Sequence, residues 1–181
     1  GTNADETTLW EYYNTDEARL ARLGEHYGAG KVLETLRKLR PDAGPGDLAV
    51  ALTTDFTFRM PAVRLLEART AADPGTPSWM YWFCWASRQF DGKLKATHAL
   101  EIPFAFDNLD KPGVDVFLGP GEVPQTVATT MHQAWIRFIR DLDPGWAPYT
   151  LEQRETMRFD TESELVTDPE GPEREAWAGI R

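Results

Sequence analysis

His98 is one of only three histidines in the chain. It stands in the stretch KATHALEIPFAF with a carboxylate, Glu101, three residues on. An imidazole near an acid can shuttle a proton close to neutral pH, bind a metal, or simply pack. The other two histidines, His26 and His132, lie far away without ligand-like spacing, and no HExxH occurs, so no histidine-built metal site is expected. The single cysteine, Cys84, excludes an intrachain disulfide and a CxxC pair, and among the aromatics of SWMYWFCWA it reads as a small buried hydrophobe. None of Ser78, Ser87 and Ser163 stands in G-x-S-x-G. Ser87 follows the aromatic run but lacks the glycines that a nucleophile turn requires. GAGK (28–31) has Glu25 and Val32 where a phosphate loop needs Gly and Ser or Thr, so it reads as a helix–helix turn. DNLDKPGVD (107–115) has Leu109 where a calcium loop needs an oxygen.

The elements that must position these residues follow from length and pattern. With 181 residues and a 41% hydrophobic fraction, the chain suits one domain or a large piece of one. A net charge of -10 argues against a nucleic-acid backbone or an anionic membrane as partner. The longest apolar run, 79–86, is far too short to span a bilayer. Helices are expected over 16–27 and 31–39, and over 54–69 with a kink or break at Pro61; 41–47 reads as a loop. The apolar stripe Val127, Met131, Trp135, Phe138, Ile139 and Leu142 marks 125–143 as the clearest helix. The 79–86 run, apolar without alternation, fits a strand buried on both faces of a helix-covered sheet. Residues 110–124 read as a Gly/Pro loop, 155–166 as two late strands and 173–179 as a terminal helix. His98 then falls in a loop twelve residues beyond a strand, and ligands of open α/β sheets collect at strand carboxyl ends.

Four stretches in order carry a resemblance. GTNADETTLW is similar to a G-x-N-x-D-E-G segment, and KATHALEIPFAF to G-x-x-H-x-x-E-[IL]-P-[FY]-x-F. TTDFTFRMPAVRLLEART and HQAWIRFIRDLDPGWAPYT resemble a T-D-x-x-F-x-x-P helix and a W-x-x-F…W-P-x-Y end. Together they resemble the type B carboxylesterase and cholinesterase family over essentially the whole chain. The resemblance implies an α/β fold: the C-terminal part of an α/β-hydrolase, mainly helices around a few sheet strands, with a Ser–Glu–His triad. It puts the triad acid on Glu6 and the base on His98. Asp5 becomes a structural carboxylate bonded to backbone N–H groups, and Glu101 a buried carboxylate that holds the His98 loop. Leu9 and Trp10 match positions lining the pocket, or else ordinary core; Thr97 and Leu100, flanking the base, are further candidates for the pocket wall.

The resemblance also implies what this stretch lacks. The nucleophile and the oxyanion-binding N–H groups would precede Gly1, so residues 1–181 are expected to be the C-terminal portion of a carboxylesterase domain. That portion would be inactive alone, need no metal or organic cofactor, and act on a small-molecule ester once joined to its upstream segment. The alternatives are an esterase-like interaction domain without catalysis, or an inactive fragment. Thr7 replaces the family's glycine after the acid, and Leu94 or Lys95 replaces the one before the base. The strand at 79–86 is expected to lose its neighbour with the upstream segment, and its bare aromatic edge to favour a homo-oligomer. The chain reads as soluble, with cytoplasmic and secreted locations both open.

Overall fold

The aromatic run supplies fewer strand residues than its length suggests. The computed structural model describes residues 1–180, and in it the run contributes only β2, Met80–Phe83. Beyond Phe83 the N–H groups of Cys84 and Trp85 both donate to the carbonyl of Phe159, at 2.8 and 3.2 Å. Two residues against one is a bulge, which bends the chain out of the ladder. β2 runs parallel to β1 (Thr2–Asn3) and to β3 (Glu155–Phe159), and β3 pairs antiparallel with β4 (Glu164–Thr167), giving the order β1-β2-β3-β4. The expected bare edge on the aromatic strand is found only in part. Trp82 and Phe83 pair with Thr2 and Asn3 on one side, and the whole strand pairs with β3 on the other. The outer position is taken by β1. Of the aromatic side chains expected at that edge (Trp79, Trp82, Phe83 and Trp85), Trp79 instead joins Tyr81, Trp135, Phe138 and Trp146 around a hollow of ≈ 250 Å³. Cys84 is half-buried rather than buried, and burial, with Asp160 next in effect, holds its thiol above the ordinary range.

The helices are α1 (Thr8–Glu11), α2 (Glu17–His26), α3 (Gly30–Leu39), α4 (Pro45–Thr54), α5 (Met60–Ala72), α6 (Ile102–Ala105), α7 (Asp115–Leu118), α8 (Gln125–Asp141) and α9 (Gly171–Ala176). Residues 45–47, expected in a loop, open α4 instead, because proline suits the first helical turn, where its missing N–H costs nothing. Gly46 there presses against the backbone of Tyr12, an approach that a Cβ would block. A π turn, Asp55–Arg59, joins α4 to α5, with the Met60 N–H reaching the Asp55 carbonyl five residues back. Pro61 was expected to kink or split a helix. The wider turn just before it lets the chain run on from Pro45 to Ala72.

Two apolar clusters result. Phe83, Trp85, Leu100, Phe104, Met131 and Phe159 bury between the sheet, α6 and α8. Leu20, Val32, Leu36, Leu48, Leu52 and Trp177 bury among α2, α3, α4 and α9. Each such side chain contributes roughly 1.5–3 kcal/mol of transfer free energy. The stripe of α8 is only partly used: Met131 is buried, whereas Ile139 and Leu142 stay exposed. Among the described residues, no helix is long and apolar enough to cross a membrane.

Candidate active site

The acid segment and the base segment are clipped together by their backbones. β1 ends at Asn3, and the chain turns out of the sheet. The Asp5 N–H then donates to the Ala96 carbonyl at 3.1 Å, and the His98 N–H donates to the Glu6 carbonyl at 3.1 Å. These bonds set Glu6 beside His98 although 92 residues separate them, and Nδ1 of His98 lies 2.7 Å from Oε2 of Glu6. A carboxylate there accepts, so Nδ1 donates, which in the neutral imidazole leaves the lone pair on Nε2. The other carboxylate oxygen, Oε1, accepts the Asn3 backbone N–H at 2.9 Å. Glu6 is sealed at 6% exposed, whereas the His98 side chain is 49% exposed. The pair therefore has a buried acid end and an open base end.

Two aromatic rings flank the imidazole. Trp10, on α1, has its ring centroid 5.8 Å from that of His98, and Phe58, on the π turn, 5.4 Å. Leu9 and Trp10 are 52% and 50% exposed, so neither is core, and only Trp10 has its ring against His98. Thr97 and Leu100, considered for the pocket wall, are fully buried and offer no surface to a ligand; Leu100 packs in the cluster beneath the sheet. Asp5 is half-buried, and its Oδ2 accepts the Ala96 N–H at 3.4 Å. Burial raises its carboxyl above the usual range, partly opposed by the Lys95 ammonium. Glu101 does not reach the imidazole ring's acid partner directly; its Oε2 accepts from the Asn3 side chain at 2.6 Å. The nearby Tyr81 phenol is pushed up to about 12, by burial first and then by Glu101 and Glu6.

The residues that replace family glycines behave differently. Thr7 has an ordinary φ of -96° and binds α4, its hydroxyl 2.6 Å from that of Thr53. Of the two positions before the base, Lys95 takes the left-handed backbone, φ 54°, and Ala99 just after the base does too, φ 65°. Ser87 is buried; its Oγ donates to the Phe117 carbonyl and accepts the Gln89 N–H at 3.0 Å, which occupies it away from any substrate. Among the described residues no group of three His, Cys, Asp or Glu side chains is placed to hold a metal ion.

Two residues of this region escaped the sequence reading. Asn3 stands inside the G-x-N-x-D-E stretch, where an amide two residues before the acid pair was a usable signal. Phe58 gave none, because a π turn shifts the helical face and no periodicity announces it.

A mixed sheet with Glu6 beyond one strand end and His98 on a facing loop fits an α/β-hydrolase fold. No family model matches the chain. It is 34% identical to a para-nitrobenzyl esterase of Bacillus subtilis over 134 residues, 70% of this chain and 26% of that protein. It is 35% identical to a phenmedipham hydrolase of Pseudarthrobacter oxydans over 133 residues, 71% of this chain and 26% of that protein. A solved carboxylesterase of Geobacillus stearothermophilus superposes with a TM-score of 0.80 at 29% identity, covering 97% of this chain and 39% of that one. The chain belongs to the type B carboxylesterase family of α/β-hydrolases. It spans about a quarter of the length of these curated relatives.

Proposed function

We propose that this chain supplies the acid and the base of a serine carboxylic ester hydrolase. Glu6 is the acid and His98 the base, and residues 1–181 form the C-terminal portion of the hydrolase domain. The serine and the oxyanion-binding N–H groups belong to the upstream portion of the whole protein. The observation that carries this reading is the 2.7 Å contact between Glu6 Oε2 and His98 Nδ1, with the rest of the imidazole open. Glu6 holds the tautomer and stabilises the imidazolium. Nε2 of His98 takes the serine proton as Oγ attacks the ester carbonyl carbon and its π electrons move onto oxygen. As the tetrahedral intermediate collapses, the alkoxide leaves with that proton. Water then repeats the sequence on the acyl-enzyme and releases the acid. Acid–base work of this kind is worth roughly 10²–10⁴-fold. The relatives' names, esterase and phenmedipham hydrolase, support a small-molecule ester as substrate.

The test is turnover of p-nitrophenyl acetate. The 181-residue chain alone should show none above background, and the chain joined to the upstream portion of an esterase relative should turn over and be silenced by a serine-reactive phosphonate. Turnover by the chain alone that the phosphonate abolishes would mean that a nucleophile lies within it.

A further inference from the structure

We infer that Asn3 is a positioning residue that, together with the backbone bonds of Asp5 and His98, fixes where His98 sits relative to Glu6. This rests on the acid–base reading above and extends it to a residue outside the pair. Asn3 is 1% exposed and lies at the end of β1, paired with Phe83 in the sheet. Its backbone N–H holds Glu6 Oε1 at 2.9 Å. Its side-chain Nδ2 donates to the Thr97 carbonyl at 2.7 Å and to Glu101 Oε2 at 2.6 Å. A carbonyl and a carboxylate can only accept, so the amide must present its NH₂ to both, and its orientation is decided by its partners. One residue thus grips the acid through its main chain and the base's loop through its side chain. It does so on both sides of His98, from a strand rather than from another loop.

A further observation favours positioning over bulk stability. The loop needs holding, because Lys95 and Ala99 both sit in left-handed backbone, φ 54° and 65°, on either side of His98. Released from the amide, the segment 95–99 can relax toward ordinary dihedrals and carry Nδ1 away from Glu6. Glu101 then acts on the base through Asn3, not by touching the ring.

The chain itself allows the test, since three histidines give a resolvable imidazole ¹H–¹⁵N spectrum. The unsubstituted chain should show His98 as the Nδ1–H form with that proton hydrogen-bonded. Asn3→Ala should lose the bonded-proton resonance of His98 while His26 and His132 stay unmoved and the thermal melt stays cooperative. Asn3→Asp sets a second carboxylate against Glu101 and should lose it as well. Asn3→Asp with Glu101→Gln restores a donor–acceptor contact at residue 101 but not at the Thr97 carbonyl, so any recovery should be partial. Persistence of the bonded proton in folded Asn3→Ala overturns the inference. Should that variant fail to fold, Asn3→Asp decides: loss of the bonded-proton resonance supports the tether, and an undisturbed resonance overturns it. A different result would strike the acid–base reading instead, namely no bonded Nδ1–H in the unsubstituted chain, or its survival in Glu6→Ala.

Discussion

Two carboxylate–cation pairs lie within a few side chains of each other, and they are built in opposite ways. Asp55 and Arg59 face one another across the π turn, with Nε to Oδ1 at 2.7 Å, and both are almost fully buried. Trp177 Nε1 donates to Asp55 Oδ2 at 2.9 Å, and Arg59 also meets Glu170 at 3.1 Å. Burial alone would lower the guanidinium's pKa, but Asp55, followed by Glu170 and Glu173, outweighs it and holds the group above its ordinary value. This cation stays charged and almost fully buried. Glu6–His98 shares the short contact and the sealed acid, yet about half of the histidine side chain is open. A pair that stays charged uses arginine, buried almost completely. The pair proposed to take up and release a proton uses histidine, sealed at one end.

Removing each cation should therefore cost different things. In a protein completed by an upstream esterase portion, His98→Ala should lower kcat at least ~10³-fold, because base and proton donor go together. Its urea melt should move by no more than about 1 kcal/mol. Arg59→Ala should do the reverse, losing about 3–5 kcal/mol of stability as Asp55 is left buried and uncompensated. A melt in which Arg59→Ala is the milder of the two would erase the distinction. The contrast sharpens with Asp55→Leu combined with Arg59→Met, which removes both charges and should recover most of the loss.

What could be read from the sequence divides along similar lines. Regular periodicity placed α2, α3 and α8, and the order of motifs placed the family. Glu6 and His98 were identified by motif alone, since nothing in the spacing of residues 92 positions apart makes them neighbours. Their approach depends on the backbone bonds of Asp5 and His98, which sequence does not display. Thr97 and Leu100 were misplaced because adjacency to a base says nothing about which way a side chain points. The bare strand edge was overestimated because two residues, Thr2 and Asn3, cover half of a four-residue strand. The Asp55–Arg59 pair was hidden for a related reason: a π turn breaks the helical wheel on which an i,i+4 pair would be drawn.

The two regions should also answer differently to pH. Burial raises the Asp5 carboxyl above its ordinary value, so its native form holds a proton more tightly than its unfolded form. Its contribution to stability is fully present below the ordinary carboxylate pKa and is lost as pH rises through the raised one. Asp168 has the opposite sign: the Arg174 hydrogen bond lowers it, so its contribution is present above the ordinary value and fades as pH falls through the lowered one. Asp5→Asn should therefore gain stability relative to the unsubstituted chain as pH rises from 4 to 7 (about the span above an ordinary carboxylate pKa). Asp168→Asn should instead lose relative stability as pH rises from about 2 to 4, the span just below an ordinary carboxylate pKa. Melts at a series of pH values read both slopes, and parallel curves for the two variants would contradict the assignment.

The smallest effect separates the strained loop from the regular helix. Arg59 sits at φ -67°, where any residue is at ease, but Lys95, three residues before the base, sits at φ 54°. Its ammonium pairs with Asp47 at partly exposed positions, an interaction worth about 0–1 kcal/mol. Lys95→Ala and Lys95→Gly both remove that pair, so the difference between them isolates the backbone. Elsewhere glycine is the less stable of the two by roughly 0.5–1 kcal/mol, because it loses more freedom on folding. At a left-handed position the order should invert, since alanine still carries the Cβ that makes such dihedrals cost about 1–2 kcal/mol. Lys95→Gly should accordingly melt at higher urea than Lys95→Ala, by about 0.5–1 kcal/mol. If alanine proves equal or better, residue 95 relaxes freely, and the loop that carries His98 is not held under strain.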